Sequence, residues 1–152
     1  MNLEELGLLG VFIAGAIPWM EAIAVVPGGI AIGLNPIATV IAAAIGNAIT
    51  IVVFAFLGSE IRTRIINRRL AKGKPASLPR FDKAMNAFNR YGIYGMAVLG
   101  PIIIGTQFAA AASVAAGVKP LRASILITAS MILWASVIAF VMVALDINFE
   151  LV

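Results

Sequence analysis

Charged residues fall so unevenly along the chain that three long apolar blocks stand between them. Leu6 to Ser59 is 54 residues with Glu21 as its one charge, Tyr91 to Val118 is 28 with none, and Ala123 to Leu145 is 23 with none. Each reaches the length that crosses a bilayer core, which takes about 20 apolar residues in a helix. Two stretches inside these blocks, Ile37 to Leu57 and Ala123 to Leu145, are uninterrupted and predict plain helices. The stretch before each is broken, by Pro18, Pro27, Gly28 and Gly29 in the first half and by Gly100, Pro101 and Gly105 in the second.

The two halves form a weak internal repeat, with Gly33-Leu34-Asn35-Pro36 corresponding to Gly117-Val118-Lys119-Pro120 at an offset of 84 residues and Pro18 to Pro101 at 83. Paired interruptions at corresponding places point to a transport site. Proline removes an amide donor and clashes with the preceding turn, so a straight lipid-facing helix through Pro18 and Pro27 would leave carbonyls unpaired in hydrocarbon. Two solutions are open. One is a kinked spanning helix. The other is a re-entrant hairpin with arms such as Leu8 to Ile17 and Ala22 to Ile32, each about half a membrane thick at 1.5 Å per residue.

Charge sidedness favours the hairpin. Nine of the eleven Lys and Arg lie between Arg62 and Arg90, a basic linker of the kind that stays cytoplasmic. If the broken segments re-enter and the smooth ones span, Lys119 and Arg122 join the linker on that face, while Glu4, Glu5, Asp146 and Glu150 take the other. If all four segments span, Lys119 and Arg122 lie outside. Within the linker, Pro75, Ser77 and Pro79 interrupt any continuous helix. Phe81, Met85 and Phe88 then recur at helical spacing, forming a short amphipathic helix that suits either an anionic membrane surface or the protein's own underside. The acidic start, Met1-Asn2-Leu3-Glu4-Glu5, is the reverse of a signal peptide, so the first block is expected to be mature structure.

The pattern therefore predicts an all-α integral membrane protein with two inverted repeats, each a re-entrant helical hairpin followed by a transmembrane helix, joined by a basic amphipathic linker. Its single membrane domain comprises repeat 1 at 6–58, a cytoplasmic linker at 59–90 and repeat 2 at 91–145. Composition agrees: 62% of residues are hydrophobic, 12% charged, and mean hydropathy is +1.05. There is no Cys and no His, which excludes disulfides, thiolate or imidazole metal sites and catalytic triads. Pro27-Gly28-Gly29 and Gly73-Lys74-Pro75 lack the spacing of a nucleotide loop. No enzyme activity, cofactor or metal is expected. The pI of about 10.0 reflects membrane orientation rather than nucleic acid.

Ala16-Ile17-Pro18, Gly46-Asn47, and Gly100-Pro101-Ile102-Ile103-Ile104-Gly105-Thr106 with the small residues up to Gly117 resemble the bacterial small multidrug export proteins. The resemblance implies a multi-pass transporter of the bacterial inner membrane. More distantly, the paired proline-containing hairpins are similar to the DedA (SNARE-associated, VTT-domain) proteins, which implies re-entrant hairpins and translocation of polyprenyl phosphates or phospholipids. DedA proteins tend to carry acidic and basic residues in the hairpins, whereas here there is one acid and no Arg or Lys in either.

Glu21 is the strongest single signal. An ionised carboxylate in the bilayer centre costs several kcal/mol, so such a group becomes protonated or faces a partner or a wet cavity. It is the candidate for proton coupling, against the alternative of a hydrated Glu at the hairpin mouth. Trp19, two residues away, offers an aromatic face to a cation or an interfacial anchor. Pro18 belongs to the same break. In the second half Gly105 permits close approach and a helix beginning near Thr106 presents amides and a positive dipole end. Thr106 and Gln107 either meet a ligand there or satisfy the hairpin tip. Asn47 lines a cavity or joins helices. The small residues Phe108 to Gly117 serve helix packing, and Trp134 is a second possible anchor.

Four apolar segments enclose a midplane cavity poorly, so a homo-oligomer, most simply a dimer, is expected. The first functional expectation is a secondary transporter of amphiphilic, cationic small molecules, with protons and substrate sharing Glu21, Trp19, Thr106 and Gln107 while the halves rock. The second is a lipid translocase of DedA type, which calls for a cationic pocket residue near the hairpins. A third is a membrane adaptor recruiting a partner through the linker. Membrane lipids are expected partners in every case.

Overall fold

A computed structural model describes residues 3–76 and 78–145. Ser77, Asp146 and Glu150 lie outside the described residues. The helices are α1 (Leu3–Gly15), α2 (Ala22–Ala31), α3 (Pro36–Leu70), α4 (Pro79–Ile103), α5 (Thr106–Ala115) and α6 (Pro120–Ala144), with no strand among the described residues. Two compact units divide the chain, one of Met1–Thr50 with Thr128–Val152 and one of Ile51–Ile127.

Local chemistry fixes the helix ends, and it does so twice at the same spacing. α2 and α5 are each 10 residues long and start at positions 22 and 106, while α3 and α6 start at 36 and 120, so both boundaries repeat after 84 residues. Between them, Gly33 (φ +84°) and Gly117 (φ +99°) take the left-handed conformation that only glycine adopts without strain. The amide of Leu34 donates to Gly29 O at 3.1 Å and that of Gly33 to Ile30 O at 2.9 Å; Val118 to Ser113 O at 3.0 Å and Gly117 to Val114 O at 2.9 Å repeat the pattern. Both connectors are thus Schellman caps. A proline then opens each following helix, where its missing N–H costs nothing. For α3 the Asn35 side chain also accepts the amides of Ile37 and Ala38 at 3.0 and 3.1 Å, an N-cap.

α3 and α6 share an inside-out pattern. Thr39, Ala43, Asn47, Ile51 and Ala55 are buried along α3, and Ala123, Ile127, Met131, Ala135 and Ala139, each 84 positions later, along α6. The opposite faces expose Ile37, Ile41, Ile45, Ile49 and Phe56, and Leu121, Ile125, Leu133 and Phe140. Mostly small or polar groups inside, with Ile51, Ile127 and Met131 as the large ones, and large apolar groups outside is an arrangement that hydrocarbon favours and water penalises. Pro36–Gly58 and Pro120–Ala144 are long and apolar enough to cross a membrane, at 23 and 25 residues with mean hydropathy 2.5 and 2.4.

In the first unit α1 and α2 fold back on each other. A Cβ on Gly7 would lie 2.8 Å from Leu34 Cδ2, and one on Gly29 3.1 Å from Val11 Cγ2, so the start of α1 meets the end of α2. α1 crosses α3 at backbone contact: a Cβ on Gly15 would come 2.6 Å from Ala43 O, and one on Gly46 would strike Phe12 O.

In the second unit α4 bends at Gly92 (φ +65°, ψ −169°) into stretches 79–91 and 93–103. The second stretch and α5 form another helical hairpin: a Cβ on Gly100 would lie 2.8 Å from Ala109 Cβ, and Arg122 Nη2 at the start of α6 donates to Tyr94 Oη at 3.0 Å. The alanine face of α5 is used for packing, since Ala111 Cβ also lies 2.9 Å from where a Cβ on Gly58 of α3 would stand, and Phe54 and Phe108 meet edge to face at 6.2 Å.

Two sequence expectations need correction. Pro27, Gly28 and Gly29 do not break the first hairpin, nor Pro101 the second; they lie inside α2 and α4, because one lost hydrogen bond does not end a helix whose neighbours remain paired. Gly29 instead admits Thr39, whose Cγ2 would stand 2.5 Å from a Cβ there. The breaks are at 16–21, which contains Pro18, and at Ile104-Gly105. The first uninterrupted helix does not stop at Leu57 but continues to Leu70, since Glu and Arg are good helix formers, and it ends at Gly73 (φ +65°). The amphipathic stretch 79–91 is present, with Phe81 buried beneath the Arg62 guanidinium at 4.7 Å, so part of its apolar face packs on the protein itself.

Candidate functional site

In the first unit, the break at 16–21 gathers Pro18, Trp19 and Glu21. Residues Ala16 and Ile17 extend α1 by turns, with Ala16 N bonded to Phe12 O at 3.0 Å and Ile17 N to Ala14 O at 3.1 Å. Pro18 follows, and Trp19 is forced to φ +90°, a region that a bulky side chain occupies at a cost of about 1–3 kcal/mol. The residue is 61% exposed. Glu21 is the N-cap of α2, half-buried, with extended backbone and no side-chain capping bond. Its carbonyl receives the amides of Ala24 and Val25 at 2.8 and 2.9 Å. A carboxylate at this end of a helix is favoured by the dipole.

Asn47 is fully buried on α3, one residue from the glycine where α1 crosses. Thr50 Oγ1 donates to Asn47 O at 2.8 Å and lies 3.3 Å from Asn47 Oδ1. Thr39 Oγ1 donates to Asn35 O at 2.8 Å. Three buried polar side chains thus follow one face of α3.

In the second unit Gly105 (φ +106°) is the N-cap of α5 and Thr106 its first residue, as expected from the sequence. Thr106 and Gln107 are 0% and 2% exposed. Ser113, on the same helix, is buried and donates to Ala109 O at 2.7 Å. Trp134, the other tryptophan, is half-buried.

Sequence reasoning missed Thr39, Thr50 and Ser113 as buried polar groups. For α3 the signal was present: Thr39, Ala43, Asn47 and Thr50 recur at helical spacing opposite Ile37, Ile41, Ile45 and Ile49. It also missed Lys83. The hairpin segments carry no cation of their own, but Lys83 Nζ comes within 3.5 Å of Ile103 O at the C-terminal end of α4, where the dipole favours a positive charge.

The family described as “Putative small multi-drug export protein” matches residues 21–138. The chain belongs to this family. The match supports the small multidrug export resemblance, and nothing in the comparisons carries the DedA one. No curated protein and no solved structure matches the chain. The small multi-drug export match opens at Glu21, so that Asn47, Gly105, Thr106 and Gln107 fall within it, while α1, Pro18 and Trp19 precede it. With two helices among the described residues long and apolar enough to cross a bilayer, this member of a family described as exporters is a membrane protein.

Proposed function

We propose that the protein is a secondary exporter of amphiphilic, cationic small molecules, coupled to protons through Glu21. The observation that carries this reading is the repetition, after 84 residues, of a short helical hairpin capped by glycine and followed by a membrane-length helix. In a bacterial inner membrane α3 and α6 span, and each hairpin dips in and returns. The Arg122–Tyr94 bond supports this topology, because it joins the start of α6 to the residues just after the basic linker. Ten of the eleven Lys and Arg then lie on the cytoplasmic side, and Lys83 reaches from there toward the hairpin tip at Ile103. The hairpins enter from opposite faces, and such inverted repeats give alternating access by rocking of one half against the other.

Glu21 loads a proton in one state and releases it in the other, which requires its proton affinity to differ between them. The ring of the exposed Trp19 beside it offers a face to a cation. Within the first unit Asn47 supplies a hydrogen-bonding side chain and Pro18 holds the break open; within the second, Thr106 and Gln107 supply such side chains and Gly105 holds the break open. Two copies of the chain complete the enclosure. The test is uptake of a lipophilic quaternary ammonium dye into proteoliposomes under an imposed pH gradient. The wild type accumulates dye only with the gradient, and Glu21→Gln abolishes that dependence; undiminished uptake by E21Q would remove Glu21 from coupling.

A further inference from the structure

The bend at Gly92 folds the first stretch of α4 over the second and leaves a cavity of about 280 Å³ between them. Its two walls differ in chemistry. Lys83, Asn86, Ala87 and Arg90 recur along one face of residues 79–91, while Met96, Leu99, Gly100 and Ile103 recur along the facing side of 93–103. No Asp or Glu is among the lining residues. The Arg90 guanidinium stands over the Tyr91 ring at 5.3 Å, and Lys83 Nζ reaches across to Ile103 O at 3.5 Å, a long contact that leaves most of its donor capacity to another acceptor. Leu99 and Ile103 are 37% and 51% exposed, so the apolar wall opens outward.

A pocket with two cations and an amide on one side and bare hydrocarbon on the other is complementary to an anionic amphiphile. It does not suit the cationic substrate assigned to Glu21. We propose that the cleft at Gly92 binds the phosphate of an anionic phospholipid, with Lys83, Arg90 and Asn86 on the phosphate and Met96, Leu99 and Ile103 against the first part of the acyl chains. Basic amphipathic segments and basic pockets at the cytoplasmic face bind anionic head groups in this manner. The volume accommodates a head group and not a whole lipid, so the chains leave along the exposed wall. The lipid is resident, holding the folded α4 in place, and is not the transported species.

The test is native mass spectrometry of the full-length protein in neutral detergent, titrated with phosphatidylglycerol or phosphatidylcholine. Phosphatidylglycerol is retained preferentially, and Lys83→Gln with Arg90→Gln weakens its binding by roughly thirty-fold, from about tenfold or less per cation removed. Arg64→Gln with Lys72→Gln removes the same charge outside the cleft and leaves retention unchanged. Leu99→Asn, which keeps both cations, also weakens lipid binding. Equal loss in both charge pairs would reduce the effect to general surface charge and overturn the site. Displacement of lipid by millimolar inorganic phosphate, with L99N without effect, would overturn the lipid as its source. Movement of the retained lipid between leaflets of proteoliposomes would overturn its residence.

Discussion

The Arg122 guanidinium donates to the Tyr94 hydroxyl at 3.0 Å across 28 positions of chain, and its carbon lies 5.8 Å from the centre of the same ring. Between these residues run two short helical stretches, 93–103 and α5, each about 15 Å long at 1.5 Å per residue. Arg122 lies in the first turn of α6, so this bond ties the start of α6 to the start of 93–103. In the first unit the approach of Leu34 to Gly7 brings the end of α2 to the start of α1. The proposed transport cycle rests on this geometry.

The two Schellman caps give a symmetric prediction. Gly33 and Gly117 both have positive φ, and neither has any atom within 4 Å of an added Cβ, so substitution strains the backbone and nothing else. Gly33→Ala and Gly117→Ala should each lose about 1–2 kcal/mol, and by similar amounts. Thermal unfolding in detergent measures this. A large loss in one and none in the other would separate the two connectors.

Glycines inside helices should divide by contact. At Gly46 a Cβ would strike the Phe12 carbonyl oxygen, whereas at Gly28 it meets nothing within 4 Å. Gly46→Ala should therefore destabilise by about 1–3 kcal/mol, while Gly28→Ala should stabilise by about 0.5–1 kcal/mol through backbone entropy. The same unfolding assay ranks them, and a G46A variant as stable as wild type would show that α1 does not cross α3 at Gly46.

Trp19 combines strain with exposure. Trp19→Gly should relieve the φ +90° penalty and raise stability by about 1 kcal/mol, yet lower transport of the cationic dye by removing the aromatic face. Stability is read from unfolding and transport from proteoliposomes. Unchanged transport by W19G would remove the ring from substrate contact.

Much of this was legible from Gly33-x-x-Pro36 and Gly117-x-x-Pro120, because a glycine that ends a helix and a proline that starts one have local causes. Pro27 and Pro101 misled for the same reason in reverse: their local cost is real, but surrounding helix packing outweighs it. Gly15, Gly29 and Gly46 were opaque, since a close approach between helices depends on partners distant in sequence. The end of α3 was obscured by charge, which reports where a helix leaves hydrocarbon and not where it stops. Thr106 and Gln107 were found at the start of α5, while Lys83 was out of sight because only the bend at Gly92 brings it to Ile103.

Cysteine labelling tests the topology most directly, because the chain has no cysteine of its own. Lys119→Cys and Ile32→Cys, both at exposed positions, are treated with a membrane-impermeant maleimide in intact cells and in inverted vesicles. Two re-entrant hairpins predict that I32C reacts from outside and K119C only in inverted vesicles. Reaction of K119C in intact cells would mean that the second hairpin crosses the membrane instead of returning, and would contradict the inverted arrangement.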